Sequence, residues 1–159
     1  MKFISELKNF VLVLFSTLLI SACSTAKKAS VDTTDDVYTG TDTVEYLANG
    51  VPDRVFFATN KSSLTTRSRD TLRKQATYLR KNKDLTVTIE GHADERGTRE
   101  YNLALGERRA NAAKDYLMTY GVSGKRISVI SDGKEKPVNP ASSPLAWSQN
   151  RRSVTIKAN

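Results

Sequence analysis

The chain has 159 residues, of which 38% are hydrophobic, and a formal net charge of +8 at pH 7. This length predicts a single domain with room for additional segments at its ends. The basic residues are scattered along the chain without a nucleic-acid-binding motif, so nucleic acid is not expected as a partner. A basic protein is also attracted to acidic lipid head groups or to an anionic wall polymer.

Residues 1–22 have the features of a secretory signal peptide. Lys2 and Lys8 supply positive charge, and residues 10–20 form a largely apolar run. The run is shorter than the roughly 20 residues that a helix needs to cross a bilayer. We therefore expect export and cleavage rather than a membrane-spanning helix at this place.

Cys23 is the only cysteine, so no intramolecular disulfide can stabilise the fold. From residues alone it is either an ordinary free thiol, a cysteine for intermolecular pairing, or a modification site. The sequence Ile20-Ser21-Ala22-Cys23 resembles the lipobox of bacterial lipoproteins, which implies that Cys23 becomes an acylated N-terminus held in outer-membrane lipid. Several acyl chains anchor a protein stably, whereas one chain does not. Ser24 implies, by the same resemblance, sorting to the outer membrane with the protein on the periplasmic face.

The next segment, residues 23–50, predicts a flexible tether. It is rich in Ser, Thr, Ala, Asp, Lys and Gly and has few large apolar residues. About 30 residues reach ~100 Å at full extension and average nearer ~30 Å as a coil. We expect the folded domain to occupy residues 51–159.

Within that domain the hydrophobic pattern predicts strands at 54–57, 86–90, 127–130 and 152–156. A first helix is expected from a cap at Thr65 or Thr66 to about Lys81, and a second from a cap at Thr98 to Tyr120. A loop is expected over 131–140 and a short helix over 144–148. The main β-α-β-α-β-β order gives an α/β two-layer sandwich, with helices packed on a small mixed sheet.

The second helix should present a mixed face to the sheet. At about 100° per residue, Asn102 and Arg109 share the core-facing side, and Arg108 lies at its flank. The other core-facing positions are Leu105, Gly106, Ala113 and Leu117, and the opposite side carries Glu107, Asn111, Lys114 and Asp115. A guanidinium on a buried face is costly unless it is paired.

The nearest carboxylates in sequence are Asp94 and Glu95, in the loop before this helix. One hypothesis is an internal clamp in which Asp94 and Arg109 pair and close the loop. The other is a pocket in which the two groups are partly free for a ligand that carries both charges. Residue spacing does not distinguish these hypotheses.

A resemblance favours the pocket. Asn102, Leu105, Arg108, Arg109 and Ala110 reproduce the N-x-x-L-x-x-R-R-A pattern of OmpA-like peptidoglycan-binding domains. The whole stretch 91–110, GHADERGTREYNLALGERRA, is similar to the version found in peptidoglycan-associated lipoproteins. The resemblance covers roughly residues 53–157, and the family fold agrees with the predicted one. The chain departs from the family pattern at two packing positions, with Gly106 in place of Ser and Ala113 in place of a larger aliphatic residue.

This resemblance implies a ligand, a set of site residues and partners. The implied ligand is the meso-diaminopimelate residue of the peptidoglycan stem peptide, with Asp94 binding its ammonium and Arg109 its carboxylate. The remaining implied site residues are Thr98 and Asn102 as hydrogen-bonding groups, Leu105 and Phe57 as an apolar wall, and Asn60 in the first loop. TolB and other Tol proteins are implied as partners, with roles in envelope integrity and cell division. Asn150-Arg151-Arg152 resembles the family's closing motif, where surface or sheet-edge pairing is expected.

Other functional classes fit the sequence less well. His92 is the only histidine, and its grouping with Asp94 and Glu95 lacks metal-ligand spacing, so neither a metal nor a cofactor is expected. A nucleophilic triad has no other base available. Asp94 and Glu95 as a glycan-hydrolase pair are adjacent on one turn, which seldom places two carboxylates across one bond, so an enzyme is not expected. A porin tail or a flagellar stator would need a barrel or a membrane helix before the domain, and neither is predicted here.

Overall fold

The structure is a computed structural model, and it describes residues 36–158. The predicted signal peptide, Cys23 and the first part of the predicted tether lie outside the described residues. Within residues 36–158, no helix is both long enough and apolar enough to cross a membrane.

Two long helices and one short helix accompany six strands in the described part of the chain. The strands are β1 (Tyr46–Ala48), β2 (Val51–Pro52), β3 (Arg54–Phe56), β4 (Val87–His92), β5 (Ile127–Gly133) and β6 (Arg152–Lys157). The helices are α1 (Thr66–Lys81), α2 (Arg99–Thr119) and α3 (Pro144–Asn150), with a short 3-10 turn at Gly124–Arg126. Thr65 and Thr98 cap α1 and α2 as predicted, because their hydroxyls accept the backbone N–H groups of Ser68 and Tyr101.

The main sheet has four strands in the order β3-β6-β4-β5. β4 and β5 run parallel, and β6 pairs antiparallel with β3 on one side and β4 on the other. The mixed α/β fold predicted from the sequence is therefore confirmed. The expectation of surface or edge pairing at 150–152 is wrong, because β6 is an inner strand. Arg151 and Arg152 are only 2% and 7% exposed.

The helices bury the faces that the sequence periodicity predicts. Leu72, Ala76 and Leu79 of α1 pack with Ile89 of β4 and Leu117 of α2 in the main core. The buried residues of α2 are Asn102, Leu105, Gly106, Arg109, Ala110, Ala113 and Leu117. Apolar side chains thus fill most of this face, and Asn102 and Arg109 are its polar members.

Two glycines let α2 lie directly against β4. A Cβ added at Gly91 would overlap the carbonyl oxygen of Gly106, and one added at Gly106 would lie 2.6 Å from the Gly91 carbonyl oxygen. Only glycine fits where two backbones approach this closely. The contact fixes the N-terminal half of α2 over the end of β4, where the polar loop begins.

The packed region begins earlier than the predicted boundary at Val51. Val37 and Tyr38 are buried in a second cluster with Phe56, and the rings of Tyr38 and Phe56 meet edge to face at 4.8 Å. Leu47, on β1, is also buried. The prediction of a free tether is wrong for these residues, because three apolar side chains among many polar ones are enough to hold the segment on the sheet.

Candidate functional site

An open pocket lies between the loop after β3 and the loop after β4. Its volume is about 360 Å³, and it is lined by Thr59, Asn60, Asp94, Arg96, Gly97 and Tyr101. Both loops follow strands that end at the same side of the sheet, and the second one leads into the N-terminus of α2. The lining is polar apart from the Tyr101 ring, which suits a small ligand with charged groups.

Asp94 is the buried anion of this pocket, and two arginines bind it. Arg96 donates from Nε to Oδ1 at 3.0 Å and from its terminal nitrogen to Oδ2 at 2.7 Å. Arg151 donates to Oδ2 at 3.3 Å from the other side. Although burial acts to raise it, the hydrogen bonds from the side chain and backbone of Arg96 hold the pKa of Asp94 below its usual value. Asp94 is thus a carboxylate that stays ionised although it is only 7% exposed.

The two arginines differ in how freely they can move. The Arg96 side chain is 42% exposed, and its guanidinium also lies 4.3 Å from the Trp147 ring centroid and 3.2 Å from the Thr59 hydroxyl. The Arg151 side chain is 3% exposed and donates from Nε to the Phe57 carbonyl at 3.0 Å. Arg151 is therefore a fixed support for Asp94, whereas Arg96 can turn towards a ligand.

Trp147 holds the outer part of the same loop. Its indole N–H donates to Glu95 Oε1 at 2.8 Å, and the Arg96 guanidinium makes a cation–π contact with its ring. Glu95 is exposed and points to α3 rather than into the pocket. Glu95 therefore helps to position the loop. It does not face Asp94 across a ligand bond, as a pair of catalytic carboxylates would.

Arg109 lies beneath the pocket and not in its lining. Its three guanidinium nitrogens donate to backbone carbonyls, those of Lys61 at 2.9 Å, His92 at 2.8 Å and Ala58 at 3.1 Å. The guanidinium also lies 5.3 Å from the Phe57 ring centroid. Burial, followed by the nearby charge of Arg151, lowers the pKa of Arg109 to about 10. Arg109 therefore ties the loop after β3 to the end of β4.

Asp94 and Arg109 do not form the internal clamp that was one of the two hypotheses from the sequence. Within residues 36–158, the cation partners of the Asp94 carboxylate are Arg96 and Arg151, and the partners of Arg109 are the three carbonyls. The guanidinium of Arg109 is 0% exposed, so a ligand carboxylate reaches it only if the loop over 58–61 opens. The two charged groups stack in depth, with Asp94 at the pocket wall and Arg109 below it.

The other predicted site residues divide into lining and supporting groups. Asn60 lines the pocket and adopts a left-handed backbone, with φ of 56°, at the turn of the first loop. Thr98 caps α2, and Asn102 donates to the Arg96 carbonyl at 2.9 Å, which shapes the second loop. Leu105 and Phe57 are 3% and 0% exposed and are not among the pocket-lining residues.

Four residues that line the pocket were not predicted to bind a ligand, namely Thr59, Arg96, Gly97 and Tyr101. Arg96 and Gly97 follow Asp94 and Glu95 in the loop before α2, and Tyr101 is in the first turn of α2. Thr59 accompanies the Asn60 turn. A basic residue two positions after Asp94 was a usable signal, because Asp and Arg on one turn can pair locally. Arg151 gave no such signal, because its place beside Asp94 depends on strand order.

The first described residue also touches this region. Asp36 accepts the backbone N–H of Thr59 at 2.9 Å, and its other carboxylate oxygen lies close to the Thr59 hydroxyl. The same oxygen lies 3.3 Å from the Arg151 guanidinium. Asp36 therefore contacts both Thr59, which lines the pocket, and Arg151, which supports Asp94.

His92 does not join the two loop carboxylates with which the sequence grouped it. Its imidazole is 1% exposed, with Nε2 at 3.5 Å from Glu90 Oε2 and 4.0 Å from Asp132 Oδ2. Burial is the main reason that the pKa of His92 falls to about 3. The imidazole is therefore neutral at physiological pH.

Comparisons with known proteins identify the family of this chain. Residues 56–151 match the OmpA family. A peptidoglycan-associated lipoprotein of Rhizobium meliloti (strain 1021) is 56% identical over 106 residues, which cover 67% of this chain and 60% of the relative. The peptidoglycan-associated lipoprotein of Brucella melitensis biotype 1 is 41% identical over 150 residues, which cover 91% of this chain and 89% of the relative.

A solved structure gives the same assignment of fold. The crystal structure of the peptidoglycan-associated lipoprotein from Burkholderia pseudomallei matches with a TM-score of 0.65 at 37% sequence identity. The match covers 67% of this chain and 90% of that one.

Proposed function

This chain belongs to the OmpA family, among its peptidoglycan-associated lipoproteins, and we propose on that premise that it binds peptidoglycan non-covalently at the pocket around Asp94. The ligand is the free end of meso-diaminopimelate in the stem peptide, which carries an ammonium and a carboxylate on one carbon. The observation that carries this proposal is an ionised, buried Asp94 held between a mobile and a fixed arginine. A ligand with both charges complements that set.

Binding proceeds by an exchange of partners in the pocket. The ligand ammonium takes a position on the Asp94 carboxylate, and Arg96 leaves Asp94 to bind the ligand carboxylate. Arg151 keeps its hydrogen bond at 3.3 Å, so the carboxylate does not turn away when Arg96 leaves. The guanidinium fork of Arg96 matches a carboxylate in two parallel hydrogen bonds.

Arg109 acts from below the ligand. By holding the Ala58 and Lys61 carbonyls it fixes the loop that carries Thr59 and Asn60. The family resemblance implies Arg109 as the residue that binds the ligand carboxylate, and its buried guanidinium becomes available for that role where the loop opens. Both roles require the charge and the planar fork, so lysine is a poor substitute at this position.

The anchor is part of the same proposal. Acylated Cys23 holds the protein in the outer membrane on its periplasmic face, and the domain binds the wall, so the protein tethers one layer to the other. Cys23→Ser should abolish acyl labelling and release the protein from membranes while the domain keeps its fold. Retention of the lipid label on this variant would contradict the anchor.

The proposed cellular role is in envelope integrity and cell division as part of the Tol–Pal system. The family resemblance supports TolB and other Tol proteins as partners. If TolB binds a surface that overlaps the pocket, the protein cannot bind the wall and TolB at the same time. Capture of TolB in the presence and absence of soluble muropeptide tests that competition.

A pull-down with purified, protein-free sacculi tests the binding function directly. The wild-type protein should sediment with sacculi, and Asp94→Asn should sediment poorly because the ammonium loses its charged partner. Asp84→Asn is the matched control, since it removes the same charge from an exposed residue after α1. Equal sedimentation of the Asp94 and Asp84 variants would contradict the assignment of the pocket. Release of soluble wall fragments during the incubation would instead indicate an enzyme.

A further inference from the structure

Three side chains of types that bind metal ions lie close together on the side of β4 that faces away from α2. Glu90 and His92 are two positions apart on β4, so both point to the same face of the sheet. The β4–β5 pairing shifts register between Gly91 and His92, with Ser131 opposite Gly91 and Gly133 opposite His92. Asp132 is the extra residue of this bulge. One ligand atom from each of Glu90, His92 and Asp132 lies within 4.8 Å of the others.

Three atoms of this cluster lack the hydrogen bonds that buried polar groups normally make. Both ring nitrogens of His92 are without a hydrogen-bond partner among the described residues, and so is Asp132 Oδ2. The imidazole is 1% exposed, so bulk water does not compensate it. The separations of His92 Nε2 from Glu90 Oε2 and Asp132 Oδ2, 3.5 and 4.0 Å, are too long for hydrogen bonds. Buried groups of this kind are seldom left unpartnered, because each costs free energy.

The same separations suit a shared metal ion. Zinc binds imidazole nitrogen and carboxylate oxygen at about 2.0–2.2 Å, so two ligand atoms on one tetrahedral ion lie about 3.4 Å apart. The separation of His92 Nε2 from Glu90 Oε2 is already close to that spacing at 3.5 Å, that from Asp132 Oδ2 exceeds it by about 0.6 Å at 4.0 Å, and the most distant pair, within 4.8 Å, must close by up to about 1.4 Å. We propose that Glu90, His92 and Asp132 form a site for a divalent transition-metal cation, with Zn²⁺ as the ion that best fits one imidazole and two carboxylates. This proposal departs from the expectation of no metal, which considered His92 only with the loop carboxylates Asp94 and Glu95, whereas the structure groups His92 with Glu90 and Asp132.

Two cations border this site and set its affinity. Lys136 lies 3.0 Å from Asp132 Oδ1, but its side chain is 62% exposed and can leave without being buried elsewhere. Arg152 is buried, and two of its nitrogens donate to the carbonyls of Asn150 and Lys136 at 3.3 and 3.2 Å. Arg152 therefore stays in place and weakens the attraction for a dication, whereas Lys136 is displaced by it. The side chains of Glu90 and Asp132 are 20% and 15% exposed, which leaves a path for the ion and for water as its remaining ligand.

The ion would cross-link β4 to the bulge of β5 beside the peptidoglycan pocket. The Gly133 carbonyl, next to Asp132, accepts the backbone N–H of Ala93 at 2.7 Å, and Ala93 precedes Asp94. The His92 carbonyl accepts Arg109 at 2.8 Å. A metal on the side chains of this segment should therefore stabilise the base of the pocket. The site stands independently of the proposed function, because it uses none of the pocket-lining residues.

A zinc titration followed through His92 tests this proposal. The protein is purified without a histidine tag, treated with chelator and labelled with ¹⁵N. His92 is the only histidine in the chain, so its imidazole resonances need no assignment. We expect Zn²⁺ to displace these resonances and to raise the melting temperature by several degrees, because a ligand that binds only the folded state stabilises it. A structural metal site should be occupied at about 100 µM Zn²⁺. Imidazole resonances that do not change at that concentration would overturn the proposal.

Two variants separate a metal site from an internal polar cluster. Asp132→Asn should weaken zinc binding at least tenfold, because it removes one charged ligand. Lys136→Gln should strengthen it severalfold, because it removes the competing ammonium. Equal zinc affinity in wild type and Asp132→Asn would also overturn the proposal, and would assign any bound zinc to groups outside this cluster. Sedimentation with sacculi provides the separate readout, so its failure bears on the proposed function and not on the metal site.

Discussion

Arg151 donates a hydrogen bond to Asp94 at 3.3 Å, although the two residues lie 57 positions apart in the chain. Arg151 directly precedes β6, and Asp94 follows the end of β4, the strand with which β6 pairs. The pairing of β6 with β4 thus places the buried guanidinium of Arg151 next to the Asp94 carboxylate, which lines the pocket. Because Arg96 binds the same carboxylate from the exposed side, the two arginines should respond differently to mutation.

We expect Arg151→Ala to lower the stability of the fold more than Arg96→Ala, and Arg96→Ala to act mainly on ligand binding. The Arg96 side chain is partly exposed, so its ion pair should contribute below about 1 kcal/mol to the free energy of unfolding. Removing Arg151 leaves buried Asp94 with less support and should cost about 3–5 kcal/mol. Arg96→Ala should instead weaken muropeptide binding while the fold persists. Urea unfolding and calorimetric titration of both variants measure this, and equal unfolding free energies would contradict it.

Arg109 should be more important than its neighbour Arg108 for both loop structure and binding. Arg109→Ala removes a fully buried, hydrogen-bonded charge that holds the loop after β3, so we expect binding to weaken by about 2–5 kcal/mol. Arg108 is exposed, with its guanidinium 6.0 Å from the Tyr101 ring centroid, and Arg108→Ala should weaken binding less. Titration with a muropeptide measures both affinities. Equal losses would mean that the buried position of Arg109 has no part in binding.

The α2 face and the site loop were predictable because their signals are local. A period of 3.6 residues places Asn102 and Arg109 on the buried side of α2, and the structure confirms both as buried. The role of Arg151 was not predictable, because it depends on β6 lying between β3 and β4. The burial of Tyr38 was missed for a similar reason. Its partner Phe56 is distant in sequence, and a polar composition around Tyr38 predicts a tether.

Gly106→Ala should destabilise the protein although alanine favours helices. The exchange gains about 1 kcal/mol of helix propensity. However, the new Cβ would lie 2.6 Å from the Gly91 carbonyl oxygen, and backbone cannot move aside as a side chain can. Overpacking of this kind costs about 1–3 kcal/mol, and contact with backbone lies at the upper end. We expect a net loss of about 1–2 kcal/mol in urea unfolding, with Glu107→Ala, on the exposed side of α2, close to wild type. A gain in stability would contradict the close approach of Gly91 and Gly106.

In the presence of chelator, stability should fall as the pH drops below 6.5. The pKa of His92 is about 3 in the folded state, against 6.5 for an ordinary histidine, so below pH 6.5 the unfolded state binds a proton that the folded state does not. The stability is complete above pH 6.5 and falls by up to about 1.4 kcal/mol per pH unit towards pH 3. The charged groups that act on the imidazole are Arg152, Asp132, Lys136 and Arg54, with Glu90 at 3.5 Å.

Urea unfolding between pH 7 and pH 5 measures this effect, because most carboxylates remain ionised over that range. The wild-type protein should lose about 2 kcal/mol, and His92→Gln should show a much flatter dependence on pH. Gln cannot be protonated, and its amide can reach the same carboxylates. A wild-type stability that does not change between pH 7 and pH 5 would contradict the low pKa of His92.

The exchange of partners at Asp94 predicts discrimination between stem peptides. A lysine stem carries the ammonium that displaces Arg96 from Asp94, but it lacks the carboxylate that Arg96 would then bind. Hydrogen bonds to charged groups contribute about 1.5–3 kcal/mol, and about 1.4 kcal/mol is a factor of ten in affinity. A diaminopimelate stem should therefore bind at least ~10-fold more tightly than a matched lysine stem. Amidation of the same carboxylate should weaken binding less, because an amide oxygen still accepts a hydrogen bond.

Titration with the three muropeptides at one salt concentration measures the differences. In Arg96→Ala the preference for diaminopimelate over lysine should shrink, and if that preference is unchanged, the carboxylate binds elsewhere, with Arg109 as the remaining candidate.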